Sequence, residues 1–164
     1  MTVEAAKTIS DYLMAHYEQE HATTLRVLER VPAGKQDYAP DQRSMNALKL
    51  AWHIASADWF FMDCIANGEF KAGEPGVPES IKSPADVVAW YKTNVPAAAE
   101  RVKAMTGEQL AKELDFFGMM KAPGVDFVAL MLKHSIHHRG QLSAYLRPMG
   151  AKVPGIYGPS GDTE

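Results

Sequence analysis

The run Met45–Gly68, MNALKLAWHIASADWFFMDCIANG, decides how the rest of the chain is read. It is too long for a strand, Ser44 can cap its start and Gly68 can stop it, so it reads as a helix. Its apolar residues surround the helix instead of lining one stripe, which predicts deep burial among other helices. A single imidazole, His53, sits in the middle of this apolar run, in LAWHIASADWFF.

Working outward, helical periodicity dominates and no strand-like alternation is long enough to define a strand. A first helix is expected over about residues 3–31, ending before PAGK, with AGKQDYAPDQR as a loop. After the central helix comes the longest irregular stretch, NGEFKAGEPGVPESIK, from Asn67 to Lys82. Segments of this length and composition often carry function, and this one is long enough to cover a site as a mobile lid. Ser83 caps a third helix, with Pro84 at its first position and Asp86 near the exposed amides. Pro96 is expected to kink or split that helix. A short turn near Thr106–Glu113 leads to a fourth long helix over about Pro123–Met149, closed by Gly150, and the tail AKVPGIYGPSGDTE is coil. Four long helices and no strands indicate an all-α four-helix bundle, with residues 1–164 as a single domain.

Composition narrows the function classes. The 164 residues carry a formal charge of −3 and no basic block, which argues against a nucleic-acid partner, because phosphate contacts need a basic footprint. No run of apolar residues approaches a membrane span, and the first twenty residues lack the pattern of a secretory signal, so no membrane partner is expected. One cysteine, Cys64, cannot form an internal disulfide, which suits a reducing cytoplasm. Cys64 reads as a small buried apolar residue, about 16 Å along the helix from His53.

The second informative stretch is Lys133–Leu142, KHSIHHRGQL, with three of the six histidines. Wound at about 100° per residue from His134, His138 falls at about +40° and His137 at about −60°. Phe127, Met131, Leu142 and Tyr145 share the arc of His134 and His138, whereas Lys133 and Gly140 fall on the polar side. Two imidazoles four residues apart can reach one ion, though a pair of hydrogen-bonded core histidines has the same spacing. His53 is the best third candidate, and it too is either a satisfied core histidine or a ligand. His16 and His21 read as a solvated or half-buried face. Glu18-x-x-His21 is half of a di-iron carboxylate pattern whose second half is missing.

ALKLAWHIASADWFF, MLKHSIHHRGQLSAYLRPMG and VPGIYGPSGD together resemble the DinB-like (DinB/YfiT) family along essentially the whole chain. The resemblance implies a four-helix bundle, often a homodimer. It also implies a histidine triad that holds zinc, nickel or a similar divalent ion, which carries over position by position to His53, His134 and His138. His137 falls where the family needs no ligand. Gln141, one turn beyond His138, is either a partner that supports a ligand imidazole or an exposed amide. Arg139 is expected to face another helix or solvent, away from the site, and Gly140 to permit close helix approach. Trp52, Trp59 and Phe60 read as core, not as a stacking box. Asp58 and Asp63 lie off the face of His53, so no general base is named and the catalytic residues stay unassigned.

Three neutral imidazoles leave an ion its charge and an open position, and such a centre lowers the pKa of a bound water or thiol. Some members of the family use low-molecular-weight thiols such as bacillithiol, mycothiol or glutathione as cosubstrate. The expectation is therefore a divalent-metal enzyme that activates a small thiol against a small-molecule substrate. The alternatives are a metal-dependent hydrolase and a non-catalytic metal-binding dimeric bundle.

Overall fold

The structure is a computed structural model that describes residues 1–73 and 76–163. Among them are five helices and two short strands, so the fold is mostly helical. The first helix, α1 (Val3–Leu28), starts where the Thr2 side chain accepts a hydrogen bond from the Ala5 amide. Ala6, Ser10, Met14, Tyr17, Thr24 and Leu28 form its buried stripe at steps of three, four or seven residues, with the half-buried His21 in the longest gap.

The second helix, α2, runs over Ala47–Asn67. Its cap is Asn46, whose side chain accepts from the Lys49 amide, and not Ser44. The Ser44 hydroxyl is engaged instead by the Asp41 carboxylate at 2.6 Å. Gly68 closes the helix at φ +74°, the left-handed conformation that suits glycine. The expected all-round burial is not observed. Leu50, Ile54, Phe61, Met62 and Ile65 are buried, but His53, Ser56, Ala57, Trp59 and Phe60 stay half-buried along one stripe.

Helix α3 (Pro84–Lys103) opens with a capping box between Ser83 and Asp86 and continues through Pro96 without splitting. A one-turn helix, α4 (Gly107–Ala111), follows in place of the expected turn. A Cβ on Gly107 would lie 2.4 Å from the Val3 carbonyl oxygen, so only glycine lets α4 approach the start of α1 this closely. Two strands missing from the sequence expectation come next, β1 (Glu113–Phe116) and β2 (Met120–Pro123). They pair antiparallel, with Glu113 opposite Pro123 and Phe116 opposite Met120. Phe117 and Gly118, both at positive φ, form the turn. The last helix, α5, covers Gly124–Leu146, and Gly150 at φ +84° ends the turn that follows it.

Helix α2 packs on α3 and α5, and α1 packs on α5, α3 and α4. Met14, Leu28, Ile54, Met62, Tyr91, Phe127, Met131 and Leu142 meet in one core. No helix of the described residues is long and apolar enough to cross a membrane.

Among the described residues, one basic and one acidic side chain, Arg139 and Asp58, lie inside this packing. Arg139 is 1 % exposed and turned toward α1, where its guanidinium pairs with Glu20 and reaches Thr24 Oγ1. It also donates to the Tyr157 hydroxyl at 2.6 Å, which in turn donates to Glu20 at 3.0 Å. Removing one member of such a pair strands the other charge. Glu20→Ala is expected to cost about 3 kcal/mol, because Glu20 keeps some contact with water. Urea unfolding measures it, and a loss below about 1 kcal/mol would place the pair among ordinary surface contacts.

Candidate metal centre

Helical phase delivers the imidazoles. On α5, His134 and His138 stand one turn apart, with ring centroids 4.3 Å from each other. From α2, His53 meets both: its Nε2 lies 3.0 Å from Nε2 of His134 and 3.1 Å from Nε2 of His138. These three residues each offer a ligand atom, all within 4.8 Å of one another, and form a group that could hold a metal ion. His137 stays outside it. Its ring touches that of His138 from the outer side, and its Nε2 accepts from the Gln141 amide at 3.0 Å.

The hydrogen bonds fix one tautomer. His138 Nδ1–H donates to Gln141 Oε1 at 2.8 Å, so its Nε2 keeps a lone pair aimed at the centre. His134 Nδ1 is buried with no hydrogen-bond partner. Burial, and then the neighbouring His138 and His53, lower the pKa of His134 to about 4. Burial likewise lowers His53 and His138, the latter opposed by its bond to Gln141. All three rings are therefore neutral near pH 7, the form that binds metals.

The donor set fits a cation. Nitrogens about 2.0–2.1 Å from a tetrahedral zinc stand roughly 3.3 Å apart, close to the separations seen here. Without an ion, His53 Nε2 is either one donor or one acceptor for two facing nitrogens, and His138 Nε2 is already an acceptor, so at least one of the two contacts lacks a linear hydrogen bond.

Other candidates resolve differently. His16 is exposed; His21 is half-buried and stacked on Tyr91 at 4.6 Å, and both are remote from the triad's contacts. Cys64 is buried, as expected of a small apolar residue. Gly140 is exposed and a Cβ there would meet nothing within 4 Å, so it does not serve helix approach. Trp52 is buried core, but Trp59 and Phe60 are half-buried and, with Trp90 of α3, line a cavity of about 630 Å³ that reaches His53. Trp52 Nε1 donates to the Gly76 carbonyl at 2.9 Å, which ties the segment after α2 to this wall. The expected lid, Asn67–Lys82, contains Glu74 and Pro75, which lie outside the described residues. Trp90 carried no sequence signal of this kind, since nothing in its own helix marks which wall it joins.

Asp58 is the polar residue whose environment sequence reasoning missed. It is 0 % exposed, and its Oδ2 accepts from Tyr91, Ser135 and Tyr17 at 2.9, 3.2 and 3.3 Å, while Oδ1 has no partner. Burial raises its pKa to about 7 despite those three bonds.

The sequence model of the DinB family matches residues 1–163. The chain belongs to the DinB family. Among its relatives is the uncharacterized Bacillus subtilis (strain 168) protein YjoA, 28 % identical over 86 % of this DinB-family chain and 91 % of YjoA. The uncharacterized protein YrdA of the same organism is 24 % identical over 92 % of this chain and 89 % of its own. The crystal structure of YjoA, a DinB-like protein, superimposes with a TM-score of 0.73 over 90 % of this chain and 98 % of that one, at 27 % identity. A DinB-like protein from Bacillus cereus ATCC 10987 gives a TM-score of 0.74 over 88 % and 95 %, and at 22 % identity it supports the fold alone.

Proposed function

We propose that this DinB-family chain is a metal-dependent enzyme that brings a small thiol to an electrophilic small molecule, within a four-helix bundle formed by residues 1–164. His53, His134 and His138 would hold one divalent ion, zinc or nickel. The observation that carries this reading is the meeting of three neutral imidazole nitrogens from two helices, one of which, His53, also lines a cavity. When bound, a divalent ion of this kind lowers the pKa of a thiol or water toward neutrality. Gln141 holds the His138 ring in the tautomer that presents Nε2 inward. A homodimer in the cytoplasm is the assembly and location that suit this reading.

Cobalt substitution tests the thiol. Adding bacillithiol, mycothiol or glutathione to the cobalt-loaded protein is expected to produce a sulfur-to-metal charge-transfer band. The thiol should titrate below its free value of about 8.5. His53→Ala should remove both signals. An unchanged spectrum with all three thiols, alongside metal-dependent ester or amide cleavage, would assign a hydrolase instead. Neither signal nor turnover would leave a metal-binding bundle without catalysis.

A further inference from the structure

The cavity beside His53 is built as a binding pocket in its own right. Its floor is the half-buried stripe of α2, where two small residues, Ser56 and Ala57, stand between Trp52 and Trp59–Phe60. Small side chains flanked by large ones leave a hollow, and at about 630 Å³ it has the size that encloses an organic molecule. The walls are π-systems set edge to face: Trp52 and Trp90 have centroids 4.8 Å apart at 67°, and Trp59 and Trp90 lie 6.2 Å apart at 72°. Trp52 is held in place by its bond to the Gly76 carbonyl, so this part of the wall is set before any ligand arrives.

Polar groups are few and ordered along the helix. Lys49 lies at one end of the lining, one turn before His53, and forms no ion pair among the described residues. From Lys49 to Ala57 the helix rises about 12 Å, with His53 midway. We propose that the cavity binds an aromatic carboxylate lengthwise, its ring over Ser56 and Ala57 between the tryptophans and its carboxylate at Lys49. The carbon chain between the two then passes His53. An aromatic carboxylate whose connecting chain carries the electrophilic carbon is thus the substrate class for the function proposed above; that assignment rests on that reading for its chemistry, whereas the pocket itself needs no metal to bind.

All three tryptophans of the chain are in this wall, so their emission reports the cavity; Trp59 also borders a second hollow beside Asp63 and Asn67, which the substitutions below distinguish. Metal-free protein titrated with para-nitrohydrocinnamate, whose nitroaromatic ring quenches indole on contact, is expected to show saturable quenching. The corresponding amide should bind several-fold more weakly. Ser56→Leu and Ala57→Leu fill the hollow from half-buried positions and should each weaken binding at least tenfold, with the ion content of the protein unchanged. Lys49→Gln should weaken the carboxylate about fivefold and leave the amide as it was. Quenching that never saturates, or both leucine variants binding like the parent, would overturn the pocket. Equal weakening of acid and amide by Lys49→Gln would overturn the assignment of the carboxylate. A parent protein that binds the probe but takes up no divalent ion would remove the metal reading and leave the pocket standing.

Discussion

His138→Ala should lose divalent-ion binding by at least about 100-fold, while His137→Ala keeps most of it; removing a supporting partner of a ligand already costs roughly 10- to 100-fold, and removing the ligand itself should cost more. The two histidines are neighbours in sequence, and their rings touch at a centroid distance of 4.8 Å. Only geometry separates them. His138 points Nε2 at His53, whereas the Nε2 of His137 is turned outward to the Gln141 amide. Gln141→Ala should fall between the two, since it frees the His138 ring to rotate. Competition with a chromophoric chelator on untagged protein gives all three affinities, and elemental analysis gives the metal count. If His137→Ala lost the ion and His138→Ala kept it, the proposed ligand set would be wrong.

The second large effect is one of pH. Asp58 has a folded-state pKa of about 7 against 3.8 for the free side chain, because burial penalises its charge more than three hydroxyl bonds favour it. Between those values the folded chain holds a proton that the unfolded chain has released. The stability that Asp58 contributes is therefore full at low pH, falls as pH rises through this window, and is gone above about 7. The whole window corresponds to an effect on the order of 4 kcal/mol. The depressed histidines act with the opposite sign, since they hold their protons less well folded than unfolded, and so would mask the effect in a simple pH profile. Comparison with Asp58→Asn removes that problem, because the histidines are common to both proteins. Urea unfolding at pH 5 and pH 8 is expected to show the variant gaining about 3 kcal/mol on the parent across the interval. A constant difference between the two proteins would mean that Asp58 is ionised throughout.

These expectations show where a sequence can be read directly and where it cannot. The winding of α5 separates His134 and His138 from His137 because a helix has one period and each residue's direction follows from its number. Ser83 was legible as a cap for the same local reason: Asp86 stands three residues on, and each closes the other's hydrogen bond. Ser44 misled because its hydroxyl bonds to Asp41, leaving the cap to Asn46 two residues later. The hairpin was missed because four-residue strands are too short for alternation to register, and a left-handed Phe117 is not a residue that announces a turn. Contacts between helices were the least legible. Nothing in the winding of α2 alone says that the space beside Ser56 stays open, or that Tyr17, Tyr91 and Ser135, from three other helices, converge on one oxygen of Asp58.

Among the described residues, the segment after α5 has no helix or strand of its own, yet it is tied down at several points. Tyr157 bridges Arg139 and Glu20, the Gly155 carbonyl accepts from Arg26, and Asp162 receives both the Arg147 side chain and the Val153 amide. A few partly buried side chains, Val153 and Ile156 among them, complete the attachment. Such a segment can detach as a unit while the helices stay folded, at a free energy well below that of global unfolding. Its detachment would uncover the guanidinium of Arg139, so amides of residues 151–163 and those of α5 around Arg139 should exchange hydrogen with solvent on different timescales, the tail first and the helix only once the chain as a whole opens.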